Sequence, residues 1–84
     1  MYSFEPIPSE KFKKFIERTL CEARGSRYGR LIYLRFDLKK PIQFKEEGFV
    51  PVTEIEICLR TLGITKEKYL STLDELFQFD STSP

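Results

Sequence analysis

Only Gly63, Ile64 and Thr65 separate two stretches of helical periodicity, and a connection that short forces the two helices to pack as neighbours. In the first stretch Ile55, Cys58, Leu59 and Leu62 recur at spacings of three and four, so they share one face. Thr53 with Glu56 three residues on has the form of a capping box. Gly63 is a natural stop, and Thr65 has the side chain of an N-cap for the next helix. Tyr69, Leu70, Leu73, Leu76 and Phe77 make the apolar stripe of that second helix. The C-terminal half therefore reads as a helix-turn-helix.

Upstream the punctuation changes. Pro6 and Pro8 hold the first residues extended. Tyr2, Phe4 and Ile7 are expected to pin that arm to the body. Ser9 can cap a helix carrying Phe12, Phe15, Ile16, Leu20 and Ala23 on one face, with Gly25 as its stop. "RGSRYGR" then reads as a loop. In residues 31–38, Ile32, Leu34, Phe36 and Leu38 alternate with Tyr33, Arg35 and Asp37, the pattern of a half-buried strand. A short helix is the alternative, because eight residues do not separate the two. "PIQF" is a second strand, "KEEG" a turn with Gly48 at positive φ, and "FVPV" an extended piece that Pro51 confines to an edge. The expected fold is α+β: one winged-helix-like domain over residues 1–80, with three main helices and a small β element. Residues 81–84 form a polar tail.

Eighty-four residues bury only about 60% of their unfolded surface, so the eight Phe and four Tyr must supply much of the core. Few amides (two Gln, no Asn) beside many Lys, Arg and Glu resemble thermophilic usage. With no leader-like start and no apolar run long enough to span a bilayer, a cytoplasmic protein is expected, with no membrane partner. Cys21 and Cys58 are read as buried thiols, with a disulfide between two helices as the alternative. Two Cys without His cannot make a tetrahedral zinc site in one chain unless carboxylates or a second copy complete it, and no cofactor is expected. The missing His also removes the usual base near neutral pH. No serine or cysteine sits in a nucleophile's setting, and no P-loop spacing occurs. Neither an enzymatic activity nor a small-molecule substrate is expected.

Charge is divided along the chain. Residues 1–45 hold eleven Lys and Arg against five Asp and Glu, whereas residues 46–84 hold three against eight. If the fold keeps the two halves apart, one face suits phosphates and the other a basic protein surface. Around "RGSRYGRLIYLR", Arg24, Arg27, Arg30 and Arg35 surround Tyr28 and Tyr33. Guanidinium forks match phosphate oxygens, and a Tyr ring can stack on an unpaired base. Arg24, Arg27, Tyr28, Arg30 and Arg35 are thus the candidate nucleic-acid contacts. Glu67, Asp74 and Glu75 are the candidate protein-docking residues. The second helix of the helix-turn-helix offers Lys66 and Lys68 to phosphate, but the later acids oppose a DNA-reading role.

Leu34 and Arg35, followed by "EEGFVPV" at 46–52 and a helix, resemble the N-terminal winged-helix lobe of the RNA 2′-phosphotransferase family. The likeness spans residues 33–80 and implies a winged-helix fold, with Arg35 as an RNA-phosphate contact. Phe36 stands where the family motif has His. The Lys-x-Arg-Phe segment is missing, nothing resembles the NAD-handling lobe, and the family has a helix where alternation places strand 31–38. The resemblance therefore implies binding without transferase activity. Taken together, these features suggest a non-enzymatic accessory module, binding nucleic acid weakly through the Arg/Tyr region and a larger protein through its acidic helices. A pure protein-interaction subunit of a replication, transcription or RNA-processing complex, or a viral inhibitor of one, is the second reading. A dimeric helix-turn-helix transcription factor is the third.

Overall fold

The computed structural model describes residues 3–82, with side chains described through Phe77. The chain order is β1 (Ile7–Pro8), α1 (Ser9–Arg18), β2 (Glu22–Arg27), β3 (Arg30–Leu34), β4 (Ile42–Lys45), β5 (Phe49–Val50), α2 (Val52–Leu62) and α3 (Lys66–Thr82). Strands β2, β3 and β4 form an antiparallel sheet in that order, and β1 pairs antiparallel with β5. This is a small α+β domain with three helices and two small antiparallel sheets. Among the described residues, no helix is long and apolar enough to cross a membrane. Tyr2, expected to pin the N-terminal arm, and Ser83 and Pro84 of the expected tail lie outside the described residues; Ser81 and Thr82 of that tail belong to α3.

The helix-turn-helix forms where local signals placed it. Gly63 ends α2 at φ 73°, with its N–H bonded to Arg60 O and the Ile64 N–H to Leu59 O. Thr65 Oγ1 accepts the Lys68 N–H at 3.1 Å. Ile55, Cys58, Leu59 and Leu62 are buried, as are Tyr69, Leu73 and Phe77. The start of α2 differs from the capping-box expectation. Pro51, extended at ψ 158°, holds the N-cap position, so the helix begins before Thr53 and no side chain caps it. Pro51 O already accepts the N–H groups of Glu54 and Ile55.

Helix α1 departs further. It begins behind Pro8, and Ser9 lies inside it rather than capping it. The buried Ser9 hydroxyl donates to Glu46 O at 3.0 Å, and its N–H to Gly48 O at 2.9 Å, tying the helix to the "KEEG" turn. The helix stops at Arg18, well short of Gly25. Leu20 turns the chain at φ 70°, a left-handed conformation that costs a branched side chain energy. Leu20 is 80% exposed, and Ala23 lies on β2, so neither continues the apolar face. The reason is tertiary: residues 22–27 pair with β3, and the ladder outweighs the continued helical pattern. Cys21 is buried just before β2, not on a helix, and both cysteines are free. Burial pushes the Cys58 thiol up to about 12, with the Glu54 charge adding to it.

The expected loop "RGSRYGR" is thus a hairpin, and residues 30–34 are a strand rather than a helix. Its buried face is the opposite of the one alternation suggested. Tyr33 is buried and Leu31 half-buried, whereas Leu34 and Phe36 point outward, Phe36 at 101% exposure. Register explains it. Tyr33 stands opposite Ile42 and Leu31 opposite Phe44, and Ile42 and Phe44 are both core residues.

The core is an aromatic junction between α1, the larger sheet and α3. Phe12 meets Phe44 edge-on at 4.9 Å, Phe15 meets Tyr69 edge-on at 4.8 Å, and Tyr33 stacks on Phe44 at 5.7 Å. Tyr33 Oη donates to Glu17 at 3.1 Å, and burial with the Glu17 charge pushes its phenol up to about 12. The Tyr69 hydroxyl is buried with no hydrogen-bond partner among the described residues. Tyr69→Phe is therefore expected to stabilise the fold by about 1–3 kcal/mol, read as a higher urea midpoint at unchanged slope. An unchanged or lower midpoint would show that the hydroxyl is satisfied.

Candidate nucleic-acid interface

The hairpin between β2 and β3 closes on two residues, with Arg27 opposite Arg30. Both loop residues have positive φ, Tyr28 at 56° and Gly29 at 73°, as a type I′ turn requires. Such a turn favours Asn or Gly at its first central position, since a tyrosine Cβ is strained there. The Tyr28 ring gains no burial in return, being 94% exposed. Gly29 O accepts the Glu46 N–H at 3.0 Å, which ties the tip to the end of β4.

Register then builds a basic row that spacing alone does not reveal. Arg27 on β2 faces Arg30 on β3, and Arg30 faces Lys45 on β4. Directly paired residues share a face, so three cations stand side by side across the sheet, opposite the face that carries Phe44 and Tyr33. Like charges placed directly opposite destabilise a sheet. Among the described residues one acid relieves them: Arg30 Nη1 contacts Glu54 Oε2 at 3.1 Å, while Glu54 Oε1 is buried with no hydrogen-bond partner there. Among the described residues, no side-chain hydrogen bond or ion pair engages Arg27, Tyr28 or Lys45.

The other expected contacts fall elsewhere. Arg24 is the bulged residue between Ala23 and Gly25, with Glu22 at 3.4 Å on the surface. Arg35 lies beyond the far end of β3, held by both Asp37 oxygens at 2.6 and 3.2 Å and by Thr19 O. That fork is the main cause that lowers Asp37 below the usual carboxylate range. Arg35 lines a cleft of about 290 Å³ with Arg18, Lys68 and Glu75, away from the tip. The four arginines thus do not converge, and only Arg27 and Arg30 join Tyr28. Lys45, absent from the candidate set, is the residue that the fold adds to this group. The alternation in "IQFK", with Ile42 and Phe44 inward, pointed Lys45 outward, but only the β3–β4 register places it beside Arg30.

The three acidic docking candidates all lie on α3. Glu75 pairs with Arg18 at 3.3 Å, Asp74 is half-buried and already interacts, and Glu67 is exposed in the first turn of α3. The two charged halves therefore meet at Arg30–Glu54 and Arg18–Glu75 instead of remaining on separate surfaces. Helix α3 commits Tyr69, Leu73 and Phe77 to the core, and Lys66 sits over the Phe4 ring at 4.4 Å. Among the described residues, no cluster of three His, Cys, Asp or Glu is placed to hold a metal. No family model, no curated protein and no solved structure matches the chain.

Proposed function

We propose that this chain is a non-enzymatic nucleic-acid-binding module of winged-helix-like design, with the β2–β3 hairpin as its wing beside the α2–α3 helix-turn-helix. The observation that carries this reading is the hairpin tip itself. An unburied Tyr in a strained backbone conformation stands between Arg27 and Arg30, at the end of a three-cation row completed by Lys45. Local rules are broken there without a packing gain, which is the pattern of a functional surface. Tyr28 stacks on an unpaired base, and Arg27 and Lys45 neutralise phosphates of the same strand. A flat exposed ring with flanking cations suits single-stranded RNA or DNA without sequence preference. Helix α3 acts as scaffold rather than as a major-groove reader.

The test is a salt titration of binding to unrelated single-stranded oligonucleotides. Arg27→Ala and Lys45→Ala are each expected to lower the salt slope by about 0.7, and to weaken all sequences alike. Absence of binding at low salt would overturn the proposal. The pure protein-interaction subunit would then stand, favoured by the exposed apolar side chains of Leu20 and Phe36.

A further inference from the structure

Strand β2 is an open sheet edge. It lies at the end of the β2-β3-β4 order, and all six of its residues are exposed. Its outward main-chain N–H and C=O groups are a template for another strand. The sequence Glu-Ala-Arg-Gly-Ser-Arg is complementary to itself when run antiparallel. About a two-fold axis between Arg24 and Gly25, Glu22 falls opposite Arg27 of a second copy, and Ala23 opposite Ser26. Arg24 faces Gly25, so no two like charges are set directly opposite.

In a regular strand this match would fail. Residues 22 and 27 are an odd number apart and would point to opposite faces. The bulge at Arg24 corrects the phase. Glu22 pairs with Leu34 and Arg27 with Arg30, and these β3 positions share the outer face. The irregularity in β2 is what puts the acid and the base on one side. Among the described residues, Glu22 is held only by the surface contact from Arg24 at 3.4 Å, which is easily given up.

The same register explains two further oddities. Carried two residues past the strand, it sets Leu20 beside the Tyr28–Gly29 tip of the second copy. Leu20 and Tyr28 are the two non-glycine residues with positive φ among the described residues, and both expose large side chains to water. We propose that the chain forms a two-fold homodimer by antiparallel pairing of β2 with β2, held by two Glu22–Arg27 pairs and by Leu20 against Tyr28 at each end. The result is one six-stranded sheet. The inference does not rest on nucleic-acid binding. Arg27 and Tyr28 serve both surfaces, so self-pairing masks the hairpin and the two states exclude each other.

The experiment contains no nucleic acid, so its failure and that of the binding proposal are separate results. Sedimentation velocity over a wide concentration range is expected to show a monomer–dimer equilibrium. Glu22→Arg or Arg27→Glu alone creates two like-charge oppositions by symmetry and weakens the dimer by roughly 10-fold or more. The double exchange E22R/R27E restores both attractions and returns the dimer to within a few-fold of the parent. Circular dichroism confirms that each variant is folded. In the unmodified chain, β2 amide protons facing away from β3 gain hydrogen-exchange protection as concentration rises. A monomer mass at every concentration leaves the edge to a strand of another protein and overturns the proposal. So does a double exchange that pairs no better than either single variant, or β2 exchange that ignores concentration.

Discussion

Phe44→Ala is expected to leave much of the protein unfolded under ordinary conditions. The Phe44 side chain is fully buried on β4, meets Phe12 edge-on at 4.9 Å and stacks with Tyr33 at 5.7 Å. It is therefore where α1 and the larger sheet are joined. Removing a buried Phe side chain costs about 3–5 kcal/mol, the lost transfer energy plus the cavity left behind. A domain of this length has about 4–13 kcal/mol in total. Urea denaturation would show the midpoint collapsing towards zero denaturant, and the hairpin would be lost with the sheet. Phe44→Leu, which keeps most of the volume, should recover more than half of the loss. A cost below about 1 kcal/mol for Phe44→Ala would mean that the junction lies elsewhere.

The second prediction has opposite signs for stability and function. Tyr28→Asn places a residue suited to the type I′ turn at φ 56°, and should stabilise the fold by about 1 kcal/mol. That corresponds to a rise in melting temperature of roughly 4–8 °C for a domain of this size. The same change removes the ring proposed to stack on a base, which is worth about 1–3 kcal/mol of binding. Affinity for single strands should therefore fall by about 5- to 150-fold while the salt slope stays unchanged, because Arg27 and Lys45 remain. Measured at concentrations low enough to keep the protein monomeric, Tyr28→Phe should bind as the parent does. An Asn variant that is more stable and binds equally well would remove Tyr28 from the interface.

The basic row depends on strand pairing between residues that lie far apart along the chain. Lys45 joined the basic row because β4 pairs with β3 in one register, and nothing in "IQFK" names its partner. Arg35 looked like a neighbour of Arg30, yet Asp37 and Thr19 hold it beyond the other end of the strand. The separation of charge along the chain did not survive folding either. Arg30 reaches Glu54 across 24 residues, and Arg18 reaches Glu75 across 57.

The sequence by itself determined the helix-turn-helix. Gly63 relieves a positive φ, the Thr65 hydroxyl caps the next helix, and apolar spacing selects each buried face; all of these act within a few residues. It likewise determined that β4 alternates and that Gly48 turns the chain. Only the tertiary structure decided where α1 stops, which face of β3 is buried and which cations stand together. Those outcomes depend on strand partners distant along the chain. There the free energy of a paired ladder and a filled core outweighs a helical pattern at Leu20 and Ala23 and a turn preference at Tyr28.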